Sequence, residues 1–503
     1  MQTLDLVIIF GYLIGVTLFG VWFSSKQETT EDYFVGSRNV PWWAIAASIV
    51  ATETSTITFI SVPGIAFARN GNFEFLQIVF GYLCGRIVIS LLFIPMYFRG
   101  ELQTVYQLLG IRFGNRVKML ASALFVVMRN IADGIRLLLT AIVLSAVYVA
   151  FQPDADANLV TIASIVLLGV VMIIFTYYGG MEAVIWVEVV QLAIYIGGAI
   201  AAAVVLLNQI DGGMPQVLAI GREFNKFSLF DFTLDFTKTY TFWAGLIGGC
   251  FLTMSTHGTD QYLVQRYLCT NKPSSASLAL LSSGAVVLGQ FIGFLFIGVL
   301  LFAFYAPFNA AEYAAAGVAN SGVPATFPFA GGDKVFPDFI TKFMPSGLSG
   351  LVIAAIFAAA LSSSLNSIAA TFVNDLYKPF ARDKSDRHLL KISGWLTLII
   401  GIVQILVALF VMNQQRSALD QALSIASLFN GPVLGVFLVG AFIKRANESA
   451  ALTGMLASIL LMIYIKFFTP LAWTWYVLIG SLTTFLIAGL ASLFFTAKKT
   501  QNN

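Results

Sequence analysis

Charge is what this 503-residue sequence has least of: Asp, Glu, Lys and Arg make up 11% of it, against 58% hydrophobic residues and a mean hydropathy of +0.86. A soluble globular domain carries about 25% charged residues, so that class is excluded and the chain reads as an integral membrane protein. Histidine is nearly missing. His257 and His388 are the only two, too far apart in sequence for an HExxH zinc site. A Walker sequence and a GxSxG nucleophile with triad partners are also missing, which leaves an ATP-driven pump or a membrane hydrolase without its chemistry. Cys84, Cys250 and Cys269 are odd in number and mostly embedded in apolar sequence, so a disulfide framework is excluded as well. Hydrophilic connections are scarce: only 209–240 and 307–344 are sizeable, each either a gate or a plain solvated link, and neither is a soluble catalytic module.

What the chain has in abundance is apolar runs, recurring from Leu4 to Phe495, so the first is a retained helix and not a secretory leader. Runs of about 20 apolar residues predict thirteen spans, near 3–23, 42–68, 74–98, 117–150, 158–178, 184–208, 241–268, 277–306, 345–376, 388–412, 420–443, 448–468 and 472–496. With the N-terminus outside, 17 of the 28 Lys and Arg fall in inner loops and eight in outer ones. Arg86, Arg129 and Arg136 lie within spans. That bias obeys the positive-inside rule and agrees with an odd span count, a cytoplasmic C-terminus and a multi-pass plasma-membrane protein.

Three spans carry polar windows. Span two holds ATETSTIT around Glu53, and span seven holds TMSTHGTDQ with Gly248, Gly249 and Gly258 around it. Hydroxyls that compete for backbone hydrogen bonds, together with helix-weakening glycines, predict interrupted helices facing protein or a water-filled cavity. Two such helices five spans apart suit a pair of inverted five-helix repeats with the binding site at the breaks. Span nine holds FAAALSSSLNS, in which Ala359, Ser362 and Ser363 share one helix face at i, i+3 and i+4. Their hard oxygens suit a small cation such as sodium. In span six, Glu188 of IWVEVVQ is either a functional intramembrane carboxylate or one that snorkels to the inner interface.

Six segments in order, DYFVGSR (32–38), SIVATETSTITFISVPG (48–64), YYGGMEAVIWVEVVQ (177–191), GTDQYLVQRYL (258–268), AAIFAAALSSSLNS (354–367) and NGPVLGVFLVGAFIKRA (430–446), resemble the sodium:solute symporter family over about residues 5–495. The resemblance implies an all-α membrane protein with a leucine-transporter-like 5+5 inverted repeat: an extra helix 3–23, repeats 42–208 and 241–443, and two closing helices 448–496. It implies sodium as the co-transported ion, held by the carbonyls of Ala51, Thr54 and Ala359 and the hydroxyls of Ser362 and Ser363, with Glu188 nearby. Many members have Asp at that place. Span nine is about three residues shorter than the family pattern, so alignment from its right end would put Ala359 and Ala360 where the serines belong; alignment from the left keeps the A-x-x-S-S face, with Ser364 in reserve.

For the solute, the resemblance points to Glu53, Ser55 and Thr58 at the first break, Phe73 and Gln77 opening span three, and Arg136 in span four. Thr253, Thr256 and His257 come from the second break, and Ser424, Ser427 and Asn430 from span eleven. Mixed donors and acceptors with one aromatic wall suit a sugar or polyol, with Glu53 accepting from two hydroxyls. Arg136 either binds a carboxylate, favouring a small organic acid or sugar acid, or pairs with Asp133 or Glu53. The function expected is sodium-driven import of a small polar solute, not enzyme catalysis. From another class, a transport-inactive sensor built on a symporter core is the alternative, and a passive channel would need a filter-like repeat that the sequence lacks.

Overall fold

A computed structural model of the chain describes residues 2–23, 29–54, 56–68, 70–100, 102–152, 154–305, 332–361, 364–381, 384–412 and 418–495. Every regular element among them is helical. Among the described residues eight helices are long and apolar enough to cross a membrane, and Trp42–Glu53 with Thr58–Phe67 makes a ninth span bent by 57°. Shorter apolar helices, Thr3–Gly15, Leu348–Phe357 and Ala426–Phe442, fall in spans one, nine and eleven. Span seven is broken up: a π-turn Ala244–Gly248 runs into Gly249–Gly258, then Gln261–Leu268. The outward surface is apolar, with Leu91, Phe410 and Leu490 largely exposed, as suits side chains solvated by lipid.

One boundary differs from the periodicity reading. Spans five and six form a single helical run, Ala157–Gln209, whose two apolar windows flank Gly179 and Gly180. Fifty-three residues would extend about 80 Å if straight, against a hydrocarbon core of ~30 Å. The YYGGMEA junction has no proline to stop the helix, so the run continues through it.

The extra N-terminal helix, Thr3–Phe23, is tied to the site. Asp5 accepts hydrogen bonds from the N–H groups of Gly347 (2.7 Å) and Gly350 (2.9 Å) and from the Ser349 hydroxyl (2.7 Å), capping Leu348–Leu361. The outer segment is tied down too. Lys226 is buried, donates to the carbonyls of Ala66 (3.1 Å), Phe67 and Ala68, and stands 3.8 Å over the Phe302 ring. It thus closes the C-terminal end of Thr56–Phe67 with a cation, the sign that a helix C-terminus favours.

Candidate substrate cavity and ion site

The first break arises because side chains capture carbonyls of the first half-helix. Thr52 donates to Ser48 O (2.7 Å), Thr54 to Val50 O (2.6 Å) and Thr58 to Glu53 O (3.0 Å). Thr54 then leaves helical geometry at φ −76°, ψ 64°. At the second break Thr259 turns out of the helix, and Asp260 caps the next one through the Tyr262 N–H (2.9 Å). Span three packs against this region backbone to backbone. A Cβ on Gly81 would lie 2.2 Å from Gly245 O.

A cavity of about 210 Å³ lies between the breaks. Of the candidate solute residues, Glu53, Thr58, Arg136, Thr253, Thr256, His257 and Asn430 line it. Phe73 and Gln77 do not. Phe73 packs edge-on to Phe227, and Gln77 is occupied by the outer segment, its Oε1 accepting from Asp231 N (3.0 Å). Phe75, Tyr82, Tyr262 and Phe291 form the aromatic wall instead. Ser427 is buried outside the lining, while Ser55 and the Ser424 side chain lie outside the described residues.

The wall is organised by acid–arginine pairs of unequal quality. The Glu53 carboxylate takes Arg86 at 2.5 and 2.6 Å and His257 Nε2 at 2.7 Å, and His257 Nδ1 stands 3.0 Å from the Thr256 hydroxyl. Arg86 is 1% exposed, and Gly284 leaves room for it: a Cβ there would be 3.0 Å from its Cδ. Across the cavity Arg129 stands 3.9 Å from Asp260, beyond hydrogen-bond reach, and its Nε is buried without a hydrogen-bond partner. Its guanidinium stacks 4.0 Å from the Tyr262 ring centre, a cation–π contact. Arg136 is 3.6 Å from Asp133, the pairing weighed for it, and donates to the Tyr262 hydroxyl at 3.4 Å.

At the expected ion site Ala51 is buried against Tyr195 and Ala355, which sets the first break beside span nine. Thr54 shares a hydrogen bond with Gln290 (2.6 Å). Ser362, Ser363 and the Ala359 side chain lie outside the described residues. Ser364 is buried and donates to Asp133. Glu188 does not snorkel to the interface. It is buried, bridged to Arg266 at 2.6 Å, and accepts from Thr52 (3.0 Å) and from Ser48. An inward-facing arginine neutralises the carboxylate, so nothing draws it out to water.

Residues 33–458 match the sodium:solute symporter family. The chain belongs to that family. As a sodium:solute symporter it is a multi-pass membrane transporter that moves sodium with its solute. It is similar to a sodium/sialic acid symporter of Aliivibrio fischeri, 31% identical over 98% of this chain and 94% of that protein. A solved sodium-coupled sialic acid symporter, in a substrate-bound outward-open state, superposes with a TM-score of 0.84 at 29% identity, covering 99% of this chain and 100% of the other. The structure of MhsT in complex with L-phenylalanine covers 91% of this chain and 98% of its own at a TM-score of 0.55 and 17% identity, and shows the leucine-transporter-like fold alone.

In this symporter, Arg86, Arg129, the aromatic wall of Phe75, Tyr82, Tyr262 and Phe291 and, as a cavity residue, Asp260 are not assigned from the sequence. Each arginine is an intramembrane cation, a functional candidate by its position alone. Arg129, Asp133 and Arg136 also stand at i, i+4 and i+7, one helix face.

Proposed function

We propose that this symporter imports a small hydroxylated carboxylate, a sugar acid, together with sodium. The observation that carries the reading is Arg129, which faces the cavity with an unpartnered Nε and only a long contact to Asp260. A carboxylate gains a charge-assisted, potentially bidentate partner there. A neutral polyol finds less. The acceptor expected to hold its hydroxyls, Glu53, already receives Arg86 and His257 on its oxygens. Asn430, whose Nδ2 is buried without a partner, and Thr253 offer groups for hydroxyls. The similar symporters named for sialic acid, itself a sugar acid, support the same class.

The sodium ligands in this reading are those the family resemblance implies: the carbonyls of Ala51, Thr54 and Ala359 and the hydroxyls of Ser362 and Ser363. Ser364, next to that window, bonds Asp133, which pairs with Arg136, which reaches Tyr262 on the cavity wall. Ion and solute therefore bias one connected set of side chains, and each raises the other's affinity by the same factor. Repeats 42–208 and 241–443 rock about the two sites. The basic-residue bias puts the N-terminus outside the plasma membrane and the C-terminus in the cytoplasm.

The test is binding to the purified protein at fixed sodium, comparing sialic acid with its methyl ester. The ester should bind at least about tenfold more weakly, as loss of a charged hydrogen bond implies. Equal affinities, or preference for neutral polyols, would overturn the carboxylate reading and leave sodium coupling standing.

A further inference from the structure

A second cavity, about 390 Å³, lies at the other end of span three. Helix Leu76–Leu92 begins beside the outer segment, to which Gln77 is bonded, and the cavity opens beyond its far end, at Met96 and Arg99. In the orientation proposed above this is the cytoplasmic interface. Leu102, Leu108, Leu109 and Phe437 make an apolar wall, and Arg99 and Arg112 stand at it as two cations. Arg112 is a fixed charge. It donates to the carbonyls of Ile443 (2.9 Å), Lys444 (2.9 Å) and Ala446 (3.1 Å), closing the end of Ala418–Phe442. Arg99 is exposed, and no acid among the described residues pairs with it. Glu448, on the same side, is engaged by the Arg116 N–H at 2.8 Å. The flanks are lipid-like: Ile111 is 77% exposed, and Leu91 and Phe442 point outward on the adjoining helix ends.

We infer that this cavity binds an anionic phospholipid, its phosphate at Arg99 and Arg112 and an acyl chain along Leu108, Leu109 and Phe437. A soluble phosphate would use the two cations and waste the apolar wall; a zwitterionic lipid would use the wall and bring its own cation to a site already doubly positive. Paired guanidiniums beside an apolar cleft at the interface suit a lipid that offers both a negative headgroup and a chain.

The test is the thermal unfolding midpoint of the detergent-purified full chain, titrated with phosphatidylglycerol, phosphatidylcholine or inorganic phosphate. Phosphatidylglycerol should raise the midpoint saturably, and the other two should not. Arg99→Gln, which touches neither solute nor ion site, should weaken the apparent affinity for phosphatidylglycerol about five-fold. Leu108→Trp, which fills the cleft, should abolish the response. An equal shift with phosphatidylcholine, an equal shift with inorganic phosphate, or an unaltered response in both variants would each overturn the site.

Discussion

The two sides of the substrate cavity are built from the same residue types and do different work. On one side Arg86 and His257 both close on the Glu53 carboxylate at 2.5–2.7 Å. On the other, Arg129 and Arg136 stand 3.9 and 3.6 Å from their acids and lean on one tyrosine. In the tight pair both Glu53 oxygens are engaged and the Arg86 charge is neutralised at contact distance. Arg86, though its Nε and Nη1 lack partners, is outside the cavity lining, so a ligand gains little by intruding. Arg129 has already been desolvated and its Nε still lacks a hydrogen bond, so a solute carboxylate can supply one. The first side joins the broken helices and span three into one structure, and in the proposed function the second is the side that meets the solute carboxylate.

The sharpest way to break this contrast is Glu53→Gln. It leaves Arg86 buried without its counter-charge, which should cost about 3–5 kcal/mol of stability, visible as a large drop in the unfolding midpoint. Arg86→Met should be similarly damaging alone, and the double variant should recover part of the loss. Unchanged stability with lost solute binding would return Glu53 to the solute. Arg129→Gln should do the reverse, weakening acid affinity by about 1.5–3 kcal/mol while the midpoint hardly moves. A comparable stability loss there would make both sides structural.

A smaller effect is expected at the ion window. Ser363→Ala should raise the sodium concentration for half-maximal uptake several-fold through loss of one oxygen ligand. Ser364→Ala should leave that value nearer to wild type and reduce the enhancement of solute affinity by sodium, because its hydroxyl holds Asp133. The opposite pattern would favour the other register of the serine cluster.

The smallest effect is on pH. In the outer segment Asp231 is held down to about 2 by its hydrogen bond from Lys238, 2.5 Å away. Because that folded value lies below the ordinary 3.8, the pair's contribution is full above that value and fades only as pH falls towards 2. Hydrogen exchange of the Phe242 N–H, which bonds Asp231 O, should therefore show the same opening equilibrium at pH 8 and pH 5, after correction for intrinsic exchange. Loss of protection across that window would mean another group controls the segment.

Much of this was legible in the residues, for a physical reason. Apolar runs must cross the bilayer, and clusters such as ATETSTIT and TMSTHGTDQ cannot remain regular helix, so spans and breaks follow from local chemistry. Partners do not. Glu53 lies 33 residues from Arg86, and Glu188 lies 78 from Arg266, so which cation meets which carboxylate is set by how the spans pack. Phe73 and Gln77 illustrate the same limit: their residue types suit a pocket, and the outer segment claims them instead. The boundary between spans five and six follows from the length of the apolar runs, and run length alone does not show that the helix continues through Gly179 and Gly180.

The central claim is that sodium drives a carboxylate through this molecule. Its most direct test is uptake into proteoliposomes of labelled sialic acid beside a neutral sugar and a polyol, with an inward sodium gradient or with potassium in its place. Accumulation of the acid with sodium alone, lost in Arg129→Gln, is the predicted result. Equal uptake in potassium without any ion gradient, or sodium-driven accumulation of only the neutral solutes, would contradict it.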